Sequence, residues 1–341
     1  MQNGLSMTFV DAVANVELSG EPDPAAVAAQ SRVGELLNGK WRLDAVLGVG
    51  GSAAVYAATQ RSGGRAAIKL LHADYTFHEQ LRLRLGGEAQ ILRRMNQPTA
   101  VRLLEEGVCT GGELFLAMEL LQGVTLSQYL ARNNARLEPD HAVQIGLLLL
   151  DAVVAMHAFG VLHRDLTLGN VVITPSGEIK LIDFGISRPL SQPEWGLFGE
   201  IDGVLGTPGF MPPEQARGLN QQVDVQSDLW AVGAILFELL SGLPVHVEAH
   251  TLSEKLSLAA STPAPKLGSV AEHVRPELQA LIDCALAFEK CQRFDNAQQM
   301  REALRKIYIW GSRRPPQHER ERCAVAPGLP ELAASACELT P

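Results

Sequence analysis

The stretch HRDLTLGN, His163 to Asn170, and the LIDFG that follows at 181–185 decide what kind of chain this is. The first comes directly after a long apolar helical run and just before a strand, so it reads as a loop that carries Asp165 and Asn170 five residues apart. The second ends a strand and puts Asp183 ahead of Phe184 and Gly185. Two carboxylates and an amide converging on one place supply hard oxygen ligands for Mg²⁺ and a group that orients an attacking hydroxyl.

Upstream, from Trp41, the pattern is of short alternating or β-branched runs: WRLDAVLG, AAVYAATQ, RAAIKLL, VRLLEEG and ELFLAME, with a charged helical segment at 78–95 between the third and fourth. This predicts five strands interrupted by one helix. Between the first two strands lies LGVGGSAAVY at 47–56, with Gly48 and Gly50 at the spacing of a loop whose small residues let backbone N–H groups approach phosphate oxygens. By itself this loop reads equally well as a plain hairpin turn. A Rossmann site is disfavoured because strand, not helix, follows the glycines. Lys69 sits in a mostly apolar strand, where a cation needs a partner. Glu88, nineteen residues on in the helix, can supply one, although either residue taken singly would read as solvated.

Downstream of Gly123 the chain turns helical. The run from His141 to Phe159 is apolar on nearly every face and is expected to be buried. Two short strands, VVIT and IKLI, flank the turn Pro175-Ser176-Gly177, and further helices are expected near 225–241, 275–288 and 294–307. Ahead of the strands, residues 1–38 read as an extension, with a turn-like GEPDP at 20–24 and one amphipathic helix over PAAVAAQSRVGELL. The division expected is therefore an extension (1–38), a two-lobed unit (39–310, lobes 39–121 and 122–310) and a flexible tail (311–341) containing APGLPELAASACELTP.

A chain of 341 residues is long enough for two lobes with a real core. Its 38 acidic residues against 29 basic ones argue against nucleic acid as a bulk partner and leave a basic protein substrate open. Cys109, Cys284, Cys291, Cys323 and Cys337 form neither a CxxC pair nor a disulfide framework, which points to a reducing cytoplasm. The start, MQNGLSMTFVDAV, lacks the basic stretch and apolar core of a secretory signal, and without an 18-residue apolar run no membrane span is expected.

Taken in order, the glycine-rich loop, the AAIK lysine, the helix glutamate, the HRD loop, the DFG triplet, PPE at 212–214 and SDLWAVG at 227–233 make this sequence resemble the eukaryotic-like (Hanks-type) protein kinase family. The resemblance runs from about Trp41 to Tyr308 and is to bacterial serine/threonine kinases in particular. It implies a bilobal α+β fold, with a small mainly β N-lobe holding one helix and a larger mainly α C-lobe. It also implies Mg²⁺-dependent transfer of the ATP γ-phosphoryl group to Ser or Thr of a protein substrate, with the chain itself among the candidates. Lys69 would hold the α/β-phosphates and pair with Glu88, Asp183 and Asn170 would bind Mg²⁺, and Asp165 would orient the substrate hydroxyl and accept its proton. Leu47, Gly48, Val49, Gly50, Gly51, Ser52 and Ala53 would cover the phosphates. Met118 looks like a gatekeeper, with Glu119, Leu120 and Leu121 as the adenine-binding hinge and Val55, Ala67 and Val172 around the ring. Glu214 with Arg293 would form a buried ion pair, and Asp228 would hold the catalytic-loop backbone. Thr207, in GTPGFMPPE, stands where Ser/Thr kinases keep a threonine touching both base and substrate.

The pattern also departs from the family. Thr167 stands where a lysine commonly neutralises the phosphoryl group in transit, and losing such a donor typically costs about 10²–10³ in rate. Ser or Thr also occurs there in bacterial kinases this chain resembles, so an active enzyme is expected. The alternative is a catalytically weak or dead pseudokinase that binds ATP as a scaffold. Ala53 replaces a third glycine, and PPE for APE keeps Glu214. Arg164 suggests a pocket for negative charge, to be met by Ser187 or Ser191 once phosphorylated, or by Glu200 or Asp202; solvent or a backbone carbonyl is the plainer alternative. A small-molecule phosphotransferase is disfavoured by the PPE glutamate and the SDLWAVG helix start.

Overall fold

The computed structural model describes residues 23–190 and 205–312. Its first part runs α1 (Pro24–Ser31), β1 (Leu36–Leu37), β2 (Trp41–Val49), β3 (Ala53–Gln60), β4 (Arg65–Leu71), α2 (Glu79–Arg94), β5 (Leu103–Val108) and β6 (Leu114–Glu119). All six strands form one antiparallel sheet in the order β1-β2-β3-β4-β6-β5. Period-two alternation gives this sheet two apolar faces. Ala66, Ile68 and Leu70 of β4 pack with Trp41, Leu43, Tyr56 and Phe115 on one side. Leu71, Leu116 and Met118 meet Leu81, Leu85 and Leu92 of α2 on the other.

Gly123 carries the chain out of the sheet at φ 145°, so close to the Ile173 carbonyl oxygen that a Cβ there would collide with it. Beyond it come β7 (Val124–Thr125), α3 (Leu126–Arg132), α4 (Pro139–Ala158), β8 (Val161–Leu162), β9 (Val171–Ile173), β10 (Ile179–Leu181) and β11 (Arg188–Pro189). The second part then supplies α5 (Pro213–Ala216), α6 (Val225–Ser241), α7 (Leu252–Ser261), α8 (Pro276–Ala285) and α9 (Ala297–Ser312). Two small sheets, β10-β9-β7 and β11-β8, lie beside the helices. Among the described residues, α4 is the one helix long and apolar enough to cross a bilayer, but half of its apolar window is buried. Its Val143, Leu149, Leu150 and Val153 pack with α6 and α9 in the main core. The two lobes are stitched where Val101 N donates to Leu181 O at 3.0 Å and Leu181 N to Thr99 O at 2.8 Å. The fold is thus a curled β-rich lobe, with α2 packed on one face of its sheet and the short α1 on the other, over a helical lobe.

Two expectations need correction. The helix read over 24–37 ends at Ser31, because Gly34 at φ 92° turns the chain and Leu36–Leu37 pair with Trp41 and Arg42. The extension thus joins the sheet through Leu36–Leu37 and packs on it through Ala29. Helix α7 was not anticipated, although its capping box, Thr251 with Glu254, is legible in TLSE. The tail expected from 311 and the GEPDP turn fall largely outside the described residues.

Glu214, at the first turn of α5, is 4% exposed and accepts from Arg293 at 2.9 and 3.0 Å and from Ser227 Oγ at 2.7 Å. Burial works against the Glu214 carboxylate, but Arg293 and Ser227 outweigh it and hold its pKa below the usual range. Removing one member of a buried pair leaves the other charge uncompensated. Glu214→Ala should cost about 3–5 kcal/mol in chemical denaturation. Lys266→Ala, which breaks the exposed 3.6 Å pair with Asp283, should cost less than about 1 kcal/mol.

Candidate active site

The register of the sheet builds the roof of an interlobe cleft. Lys69 lies opposite Val55 on β3 and Leu116 on β6, and Ala67 lies opposite Met118, so all their side chains share the face turned toward the second lobe. Leu47, Gly48, Val55, Ala67, Met118, Leu120 and Leu121 line the cleft from above, and Val172 and Asn170 line it from below. An adjoining hollow is bounded by Val49, Gly50, Gly51, Ser52, Ala53 and Asp165, and the two share Gly48, Val55, Lys69, Glu88 and Asp183. Glu119 borders the cleft, but its carboxylate is spent on Arg102 N at 2.9 Å and Lys180 Nζ at 2.5 Å, and its own N–H donates to Arg102 O at 2.9 Å.

Lys69 is the electrostatic centre. Its Nζ lies 2.8 Å from Glu88 Oε2 on α2 and 2.7 Å from Asp183 Oδ1, reaching across both lobes. Burial opposes its charge, but the two carboxylates outweigh burial and raise its pKa. For Asp183 the dominant influence is Lys69, which lowers its pKa. Glu88 is 2% exposed, and burial pushes its carboxyl up against the pull of Lys69. The Asp183 side chain is 47% exposed, so a carboxylate already fixed by Lys69 still faces the cleft.

The catalytic-type loop is held from beneath. Asp228, in the first turn of α6, accepts from Arg164 N at 2.9 Å, His163 N at 3.0 Å and His157 Nε2 at 2.8 Å. Burial disfavours its charge, but these donors hold its pKa low. They also anchor Arg164 at φ 68°, a left-handed conformation that a non-glycine residue keeps only when its surroundings impose it. On the cleft side, Asp165 Oδ1 accepts from Thr207 N at 2.9 Å and Thr207 Oγ1 at 2.8 Å. Asn170 Nδ2 donates to Asp165 O at 2.9 Å and to Asp165 Oδ2 at 3.3 Å, leaving the amide oxygen available to a cation. Burial raises the Asp165 pKa, and the Thr207 hydrogen bonds oppose that rise.

Comparison with known proteins matches residues 41–309 to the protein kinase domain family. The chain belongs to the protein kinase family. It is 32% identical over 270 residues to a probable serine/threonine-protein kinase of Streptomyces coelicolor, covering 78% of this chain and 39% of that protein. With a serine/threonine-protein kinase of Myxococcus xanthus it shares 31% identity over 312 residues, 89% of this chain and 56% of that one. The chain thus spans roughly two to three fifths of the length of these curated relatives. The crystal structure of the Mycobacterium tuberculosis PknI kinase domain superposes with a TM-score of 0.61 at 24% identity, over 80% of this chain and 97% of that one, and so shares its fold.

Within this kinase fold some site residues escaped sequence reasoning. Val101 lines the cleft because the interlobe strand contacts bring it there, and no local motif marks it; Ile182, next to Asp183 inside LIDFG, lines it as well. Thr125 and Gln128 also line it, and their reciprocal capping of α3 was the signal available. His72, at the end of β4, places its ring nitrogen 2.8 Å from Gly50 O and tethers the glycine-rich loop. Ser187, one of the hydroxyls considered for phosphorylation, is 7% exposed and donates to His163 O at 3.0 Å, so in this arrangement it is closed to modification. Arg164 is buried and donates to Asn220 Oδ1 at 2.7 Å. Ser191, Glu200 and Asp202 lie outside the described residues.

Thr167 has a structural task in this fold. Its Oγ1 accepts from Asn170 N at 3.2 Å and caps the short 3-10 turn that carries Asn170. Thr167→Val should lower stability by about 0.5–2 kcal/mol, as a lost cap does, whereas Thr167→Ser should lose less. Urea denaturation of the three proteins checks this.

Proposed function

We propose that this chain is a protein serine/threonine kinase that moves the γ-phosphoryl group of Mg·ATP to Ser or Thr hydroxyls of proteins. The observation that carries the proposal is the closed Lys69–Glu88 pair, with Asp183 on the same ammonium and Asp165 held by Thr207. That assembly supports an active enzyme over an ATP-binding scaffold.

The apolar walls around Val55, Ala67, Met118 and Val172 suit an adenine ring, and the Glu119–Leu121 backbone offers it hydrogen-bonding groups. Lys69 would hold the α/β-phosphates beneath the 47–53 loop. The donor set fits Mg²⁺: one carboxylate, Asp183, and one amide oxygen, Asn170, are the hard ligands it takes alongside substrate phosphates. Among the described residues no group of three or more His, Cys, Asp and Glu is arranged to hold a metal ion by itself, so the substrate phosphates would complete the shell. When bound, Mg²⁺ would neutralise charge building on the phosphates. Asp165 would orient the incoming hydroxyl and take its proton, with Thr207 fixing which carboxylate oxygen faces it. The partners implied are Ser/Thr-bearing proteins, the chain itself among them, and the compartment implied is the cytoplasm, where ATP is held.

Asp165→Asn should abolish transfer from γ-labelled Mg·ATP to the chain and to a generic basic protein, while leaving ATP binding in place. Absence of transfer by the unaltered protein, with nucleotide still bound, would overturn the proposal in favour of the scaffold. Thr207→Val bears on pH. Catalysis needs the Asp165 carboxylate, so activity falls as pH drops through its folded pKa. Removing the Thr207 hydroxyl removes a bond that lowers that pKa, so the acidic limb of kcat/KM should move to higher pH. Thr207→Ser should leave it where it is.

A further inference from the structure

Residues 24–40 lie ahead of the matched kinase region, yet the polar contacts that their side chains make beyond the segment and its neighbour Trp41 converge on one target, the β5–β6 hairpin. Arg32 reaches Glu113, in the turn between β5 and β6, at 3.1 Å while also holding Glu35 at 2.7 Å. Asn38 Nδ2 donates to Val108 O, at the end of β5, at 2.8 Å. Lys40 Nζ and its neighbour Trp41 Nε1 both donate to Glu105 Oε2, at 2.5 and 3.0 Å. Tyr56 OH donates to Ala29 O at 3.2 Å and pins α1 to the sheet.

Helix α2 grips the same hairpin from its other side. Arg82 Nη1 donates to Gly112 O and to Thr76 O, both at 2.9 Å, and Arg93 pairs with Glu106 at 2.8 Å. Successive residues of a strand face opposite sides, so Glu105 serves the N-terminal segment while Glu106 serves α2. The turn between them is confined: Glu113 is 8% exposed, and a Cβ on Gly111 would run into its carboxylate.

We propose that residues 24–40 are a brace that fixes the β5–β6 hairpin and, through it, seats α2. Arg32 is then a positioning residue for the Lys69–Glu88 pair, although it touches neither. The proposal rests on the kinase reading for its effect on catalysis, but not for the brace itself. Without Arg32 the Glu113 turn shifts, Gly112 O no longer holds Arg82, and Glu88, six residues along the same helix, withdraws from Lys69.

The test uses the full chain with Arg32→Ala, Arg82→Ala and the pair combined. Phosphate transfer is assayed well below the unfolding temperature, and amide exchange at 79–88 is followed in nucleotide-free protein. Each single change should lower kcat/KM between about twofold and thirtyfold, the range such couplings span. The double variant should fall no more than about twofold below the weaker single, because both changes cut one linkage. Exchange should rise at 79–88 and not at 276–285, and Arg32→Lys should recover most of both losses. Arg275→Ala, which breaks a 3.0 Å pair with Asp140 in the other lobe, should simply multiply with Arg82→Ala. Arg32→Ala and Arg82→Ala effects that multiply, or unchanged exchange in α2, would overturn the brace. If the unaltered chain transfers no phosphate, the kinase reading fails, and exchange alone still decides the brace.

Discussion

A lysine in an apolar strand must find an acid, and Lys69 finds two from opposite sides of the molecule. Glu88 arrives on α2 within the β-rich lobe, and Asp183 arrives from the strand end beneath it. One ammonium therefore reports the position of α2 and the approach of the lobes together. Removing Lys69 would leave the buried Glu88 carboxylate without its cation, so the closed cleft and the charge balance are one constraint. Because the Asp183 side chain remains half exposed, meeting that constraint does not use up the cleft-facing oxygen chemistry.

A second anchor makes the first useful. Asp228 is buried at the start of α6 and accepts two loop N–H groups and a histidine ring, which holds Arg164 in a conformation it would not choose. Asp183 has the same left-handed backbone, at φ 61°. Strain at two adjoining loops is tolerable where a packed helical core over-determines them. The result is that Asp165, Asn170 and Thr207 meet within hydrogen-bond reach although Thr207 is remote from the others in sequence.

Thr167 illustrates how a local departure is absorbed. Where a long cation is common in the family, a short hydroxyl turns inward and caps the turn bearing Asn170. The side chain thus serves the placement of a neighbour instead of reaching the cleft. Ser187 is similarly committed inward. Its hydroxyl could not be distinguished from an exposed one by sequence, because burial there depends on the fold returning His163 beside it.

The sequence by itself determined the five longer strands of the first lobe, helix α2 and the identity of the residues that converge, because alternation, helical periodicity and short-range motifs are local properties of the chain. It could pair Lys69 with Glu88 only through the family resemblance, since nothing in nineteen residues of separation fixes a contact. Tertiary structure alone decided that Glu119 spends its carboxylate on Lys180, that Val101 walls the cleft, and that residues 24–40 lie against the β5–β6 hairpin. Each of these is a meeting of segments distant along the chain. The free energy that selects such meetings comes from burying apolar surface between distant segments, which no local pattern specifies.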